Sequence, residues 1–279
     1  HAGSRTPPCS QFAAPDEILI TLGSQNALYL LTRLLLSSTT RIGVENPCFR
    51  EAINTFLLAD AEVVPHPVDE EGIVLNERPC DYYYVTPGHQ VPTGVAMSSA
   101  RRRQLLDHAA RHDAVIIDYD SESNFTLNPL PALKASDRSG RVVYVSSLSK
   151  ALSPGLRLGF MVADPDLIDE ARALRRLVYR HPPTNIQYQM AHFLAQGHYE
   201  THLRRYHYDS AQRWERLHAA LQRYLPSCRA LAGSEHANAF WLQTPAQINT
   251  QQLTWRAAHA GVLIEPGARH FLSAAPPDN

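Results

Sequence analysis

The feature that most constrains this chain is a regular alternation of short apolar runs with segments of helical periodicity. Runs of strand length, rich in β-branched and aromatic residues, occupy residues 18–21, 41–45, 61–64, 82–85, 114–118 and 142–145. Between them, Gly23-Ser24-Gln25 opens a helix with Ala27, Leu28, Leu31 and Leu35 on one face. Helical spacing recurs at 49–56 and at 99–112, where Ser98 is placed to cap and Leu105, Leu106 and Ala109 point inward. Strands alternating with helices predict an α/β three-layer sandwich with a mainly parallel sheet. Further on, Leu167, Ala171, Leu174 and Val178 mark a helix, with Arg172, Arg175 and Arg176 expected on its solvated face. A long helical stretch covers 199–224, and a last α/β unit is expected from strands at 240–242 and 262–264 around a helix near 251–260. The division expected is a large domain over 1–225, with residues 1–15 given no structure, and part of a smaller C-terminal lobe over 226–279.

The chemistry concentrates in Ser146-Ser147-Leu148-Ser149-Lys150-Ala151-Leu152-Ser153-Pro154-Gly155-Leu156-Arg157-Leu158-Gly159-Phe160. One lysine stands in a hydroxyl-rich loop between two apolar runs, Pro154-Gly155 turns the chain, and an arginine follows seven residues after the lysine. The short spacing implies one locally antiparallel pair within the sheet. Such a loop can hold a reactive amine beside an anion site of hydroxyls and a guanidinium, the combination a lysine Schiff base with a phosphorylated aldehyde requires. Taken alone, the lysine would be read as an ordinary solvated side chain.

Composition narrows the alternatives. At 279 residues the chain can bury a large core, and 44% apolar with 19% charged residues is a globular balance. A net charge of −1 gives no electrostatic reason for this chain itself to contact nucleic acid or an anionic membrane. The cysteines, Cys9, Cys48, Cys80 and Cys228, form no CxxC pair and read as reduced thiols of a cytoplasmic protein. No apolar run reaches membrane-spanning length. His198 and His202 have i, i+4 spacing, yet lack a neighbouring Glu or a third ligand, so no metal is expected. P-loop, dinucleotide and GxSxG signatures are absent from the sequence.

The pattern S-x-S-K-x-x-x-P-G-x-R-x-G resembles the lysine segment of fold-type I aminotransferases that use pyridoxal 5′-phosphate (PLP). It is most similar to the aminotransferase-like domain of MocR/GntR-type bacterial proteins, and the resemblance runs from about Ile18 to about Phe271. It implies that Lys150 carries the cofactor aldehyde. Ser147, Ser149 and Arg157 would bind the phosphate, and Gly23, Ser24 and Gln25 would form a second cradle at a helix N-terminus; read alone, Gly23-Ser24 is a plain cap.

Phe49, in Glu45-Asn46-Pro47-Cys48-Phe49, matches the aromatic that stacks on the pyridine ring, although by itself it would pass for core. In Thr86-Pro87-Gly88-His89-Gln90-Val91-Pro92-Thr93-Gly94, Val91 stands where ordinary aminotransferases have an asparagine that bonds the cofactor's phenolic oxygen. His89 or Gln90 would have to compensate. The ring nitrogen needs a carboxylate to stay protonated, and Asp118 ends an apolar strand where open α/β sheets place ligands. Tyr119 would bond the phenolic oxygen. The family's E-D-D-Y-x-S-E here reads Ile117-Asp118-Tyr119-Asp120-Ser121-Glu122, one acidic residue short. Aligned on the tyrosine, Ile117 takes the ring-nitrogen position. A small deletion would leave Asp118 in that role, with Asp120 as the alternative.

Two functions follow from the resemblance. The first is an aminotransferase-like enzyme that moves the amino group of an amino acid or amine, with Lys150 transferring the Cα proton. The second is a PLP-binding, effector-sensing domain of a MocR-type transcriptional regulator with little or no turnover. A winged-helix domain upstream would decide between them. A homodimer is implied, with His181-Pro182-Pro183-Thr184 matching a segment near the partner's cofactor. The family's carboxylate-binding arginine follows the segment resembling residues 261–267. The sequence is therefore expected to be incomplete at its C-terminus, unless Arg269 substitutes or the ligand lacks an α-carboxylate.

Overall fold

The computed structural model describes residues 13–120, 130–230 and 239–272. In chain order the elements of the large domain are β1 (Ile18–Thr21), α1 (Ser24–Leu35), β2 (Arg41–Asn46), α2 (Arg50–Leu57), β3 (Glu62–Asp69), β4 (Gly72–Ile73) and β5 (Tyr82–Val85). There follow α3 (Ser99–His112), β6 (Val115–Asp120), α4 (Leu133–Ser136), β7 (Val142–Ser147), β8 (Gly159–Val162), α5 (Pro165–Val178), α6 (Thr184–Ala195) and α7 (His198–Tyr224). Beyond them lie β9 (Arg229–Ala230), β10 (Leu242–Gln243) and α8 (Thr250–His259).

An eight-stranded sheet in the order β1-β8-β7-β6-β5-β2-β3-β4 forms the middle layer. From β7 through β6, β5 and β2 to β3 every pair is parallel. β8 is antiparallel to both β1 and β7, so the short β7–β8 connection creates two antiparallel pairs rather than the single one expected. β4 adds a small antiparallel edge to β3.

The periodicities sort the helices between the two faces. Ala27, Leu28 and Leu31 of α1 are fully buried with Ile53 and Phe56 of α2, Ile168 and Ala171 of α5, and Tyr84, Ile117, Val143 and Val145 of the sheet. Each fully buried leucine contributes roughly 1.5–3 kcal/mol relative to an exposed one. On the opposite face, Leu105 and Ala109 of α3 and Leu133 of α4 cover Tyr83, Val85, Ile116 and Val142. Ser98 caps α3 as expected, its hydroxyl accepting from the Arg101 N–H at 3.1 Å.

Two expectations need correction. Arg175 is not solvated: its Nη1 donates to the Ile20 carbonyl at 2.6 Å and ties α5 to β1. The helix α6, unassigned from the sequence, begins at Thr184 directly after Pro182-Pro183. Residues 262–264 form no strand but an exposed run after α8, and the last short sheet pairs Leu242 with Ala230 instead.

Candidate cofactor site

The site is assembled at one end of the sheet from the β1–α1 turn, the end of β6 and the β7–β8 loop. β1 and β8 lie side by side with Thr21 opposite Gly159. A Cβ on Gly159 would stand 2.5 Å from the Gly23 carbonyl carbon and 2.6 Å from the Ser24 nitrogen, so only glycine lets the lysine loop meet the start of α1 this closely. Gly23 has φ 77° and ψ 169°, a region that is essentially glycine-only. It caps α1 without a side-chain hydrogen bond, and no acidic residue lies in the first turn. The amides at this end are therefore available to an anion, and the helix dipole favours one there.

Arg157 completes the cradle. Its Nη2 donates to the Leu22 carbonyl at 3.2 Å, and a Cβ on Gly23 would come within 3.0 Å of that same nitrogen. A guanidinium beside uncapped helix amides is the donor set a phosphate monoester dianion fits. Ser24 Oγ lies 2.8 Å from Tyr119 Oη, which joins the end of β6 to this corner. Phe49 stacks near Tyr119, centroids 6.2 Å apart and planes inclined by 23°. The Gln25 side-chain amide donates to Thr55 Oγ1 at 2.9 Å and ties α1 to α2. A cavity of about 520 Å³ opens beside Arg157 between α1 and α2, lined also by Gln25, Asn26 and Tyr29.

The lysine loop is closed by its own hydroxyls. Ser149 Oγ accepts from the Leu158 N–H at 3.2 Å, Ser147 Oγ accepts from the Ser149 N–H at 3.2 Å, and Leu148 N donates to the Leu158 carbonyl at 3.0 Å. Both hydroxyls are buried in these contacts while Lys150 is exposed. Beneath the loop, Ala151 and Leu158 pack on Met190 of α6 and Tyr199 of α7. His202 of α7 donates from Nε2 to the Ala151 carbonyl at 2.6 Å. The histidine weighed as a metal ligand thus anchors the residue next to Lys150, which its sequence spacing did not signal. Among the described residues no cluster of His, Cys, Asp and Glu is placed to hold a metal ion.

Not every expected residue joins this group. Asp118 lies one residue before Tyr119 on a regular strand, so its side chain takes the opposite face of the sheet. There its Oδ2 accepts from the Leu133 N–H at 2.9 Å. Burial, and after it the Asp120 charge, push the Asp118 carboxyl up to about 7, with Arg102 and the Leu133 and Lys134 amides opposing. Asp120 is on that side too and accepts from Tyr144 Oη at 2.7 Å. Ile117 shares the face of Tyr119, packed with Tyr84, Val143 and Val145. Ser121 and Glu122 of the same motif lie outside the described residues.

His89 is buried in the turn of residues 86–94. Gln90 braces that turn, since its Nε2 donates to the Pro47 carbonyl at 2.8 Å and its Oε1 accepts from Thr93 Oγ1 at 2.6 Å. Glu45, not singled out in the sequence, accepts from Thr86 Oγ1 at 2.6 Å and Thr86 N at 3.1 Å, and burial pushes its carboxyl up to about 7. Arg269 is exposed and faces Glu265 at 3.6 Å.

Comparison with known proteins places this geometry. The chain is 38% identical over 265 residues to the HTH-type transcriptional regulator TauR of Rhodobacter capsulatus, covering 93% of this chain and 54% of the relative. It is 34% identical over 269 residues to the probable rhizopine catabolism regulatory protein MocR of Rhizobium meliloti, covering 94% and 54%. The chain spans about half the length of these curated relatives. Among solved structures, LysN, the α-aminoadipate aminotransferase of Thermus thermophilus complexed with N-(5′-phosphopyridoxyl)-L-leucine, superposes with a TM-score of 0.86 at 28% identity, covering 95% of this chain and 71% of that one. The kynurenine aminotransferase of Pyrococcus horikoshii gives 0.86 at 27% identity, covering 93% and 68%. The description "Aminotransferase class I and II" matches residues 5–267. That match spans the α/β sandwich and the corner formed by Gly23, Tyr119 and Arg157, so the chain belongs to the class I and II aminotransferase family, with the fold-type I architecture and pyridoxal 5′-phosphate as its cofactor.

Proposed function

We propose that this chain binds PLP covalently through Lys150 and exchanges that linkage for the amino group of a small amino acid or amine, the entry step of amino-group transfer. The observation that carries the reading is the position of Lys150 on a loop held by Gly159 against the uncapped N-terminus of α1, with Arg157 between them.

In this reading the α1 amides and the Arg157 fork bind the phosphate dianion. Phe49 covers the ring, and Tyr119 and Ser24 orient it through hydroxyl groups. Lys150 Nζ would add to the aldehyde carbon as the neutral amine, with loss of water. Bound there, the cofactor supplies an aldehyde that condenses with amines and a ring that delocalises charge. Lys150, once displaced by an incoming amine, would be the group placed to accept a proton. Spectral titration with a panel of amino acids and their decarboxylated amines tests this. Exchange with at least one class is expected, and none with any would contradict the proposal.

A second reading, effector sensing with little turnover, is favoured by Ile117 on the cofactor-facing side of β6 and by the regulators among the relatives. We further propose a cytoplasmic homodimer whose contact includes the exposed Leu177, Val178 and Tyr188 flanking His181–Thr184 in sequence, and a lobe boundary at 225/226. No described helix is long and apolar enough to cross a membrane.

A further inference from the structure

We infer that β6 presents no carboxylate to the ring nitrogen of bound PLP, because Ile117 holds the cofactor-side position, and that the site therefore favours amine exchange over Cα-proton transfer. This rests on the cofactor binding proposed above. β6 pairs residue by residue with both neighbours, from Ile116 opposite Val142 to Asp120 opposite Ser146, and from Tyr82 opposite Val115 to Val85 opposite Asp118. No extra residue interrupts the ladder, so side chains alternate strictly between faces. Tyr119 marks the cofactor side by its contact with Ser24 at the start of α1. Ile117 lies two residues behind it on that side, fully buried among Tyr84, Val143 and Val145.

Among the described residues, the buried acids are Glu45, Asp118 and Asp120. Asp118 is held by the Leu133 N–H, Asp120 by Tyr144 Oη, and Glu45 by Thr86. Arg102, which feels the charges of both aspartates, gives its Nε, Nη1 and Nη2 to the carbonyls of Met97, Pro131 and Pro87. The pair thus belongs to a clamp beneath α3 and α4. Turning Asp118 to the other face would require a one-residue slip of β6, which would bury Tyr119 and Ile117 on the wrong side. Without a carboxylate partner the pyridine nitrogen stays unprotonated at neutral pH, and a neutral ring withdraws electrons from the Cα–H bond less well. Binding and exchange at Lys150 are unaffected, since they need only the aldehyde and the phosphate cradle.

The test is the ¹⁵N chemical shift of protein loaded with pyridine-¹⁵N PLP, in wild type, Asp118→Asn and Ile117→Asp. An unprotonated shift is expected in wild type and in Asp118→Asn. Ile117→Asp should move the signal toward the pyridinium value and raise deuterium incorporation at Cα of a bound amino acid. Should Ile117→Asp not fold, wild type and Asp118→Asn still decide. A pyridinium shift in wild type, or a change caused by Asp118→Asn, overturns the inference while cofactor attachment at Lys150 stands. Absence of attachment would instead remove the functional reading.

Discussion

Gly23→Ala tests the phosphate cradle where the structure leaves least freedom. At φ 77° and ψ 169° the backbone is in a region that costs a non-glycine residue ~1–3 kcal/mol. For a chain of this size each kcal/mol lowers Tm by about 2–4 °C. The new Cβ would also stand 3.0 Å from Arg157 Nη2, tighter than ordinary contact, so the guanidinium must move away from the α1 amides. Losing one hydrogen bond to a charged group costs roughly 1.5–3 kcal/mol, or about 10- to 150-fold in PLP affinity. Gly140→Ala is the control. Gly140 has φ +70° with nothing within 4 Å of a new Cβ, so it carries backbone strain of ~1–2 kcal/mol and no contact with the site. Calorimetric Tm and a fluorescence titration with PLP should show both variants destabilised and only Gly23→Ala impaired in binding. Equal PLP affinity in the two variants would refute the reasoning.

Glu45 and Asp118 both have carboxyls raised to about 7, from 4.5 and 3.8. Their protons stay on in the folded chain while the unfolded chain ionises, so stability falls as pH rises from about 4 to about 7. Glu45→Gln should flatten the decline of Tm across that window, and an unchanged slope would count against the buried-acid account. His202→Ala removes the hydrogen bond to the Ala151 carbonyl, worth about 1 kcal/mol, and should speed amide exchange in residues 148–156 without altering α1. Protection unchanged there would show that α7 does not steady the lysine loop.

Much of the fold was legible because apolar period and strand length repeat cleanly: Ala27, Leu28 and Leu31 are all core, and Ser98 caps α3. The lysine segment announced itself through residue types that are chemically specific together. What escaped depends on facts beyond local pattern. Arg175 looked solvated because helical spacing does not show that β1 offers it a carbonyl. His202 carries no motif, since its partner lies 51 residues away on another element. The aspartate at 118 looked well placed at the end of an apolar strand, yet one residue of register decides which face a strand side chain occupies. Only the uninterrupted pairing of β6 settles that.

The central claim is covalent attachment at Lys150, and the chain has just one other lysine, Lys134. Borohydride reduction of the PLP-loaded protein followed by peptide mapping tests it directly. The account predicts the phosphopyridoxyl group on the peptide containing Lys150 and none on Lys134. Label on Lys134, or PLP bound with Lys150 unmodified, would contradict it.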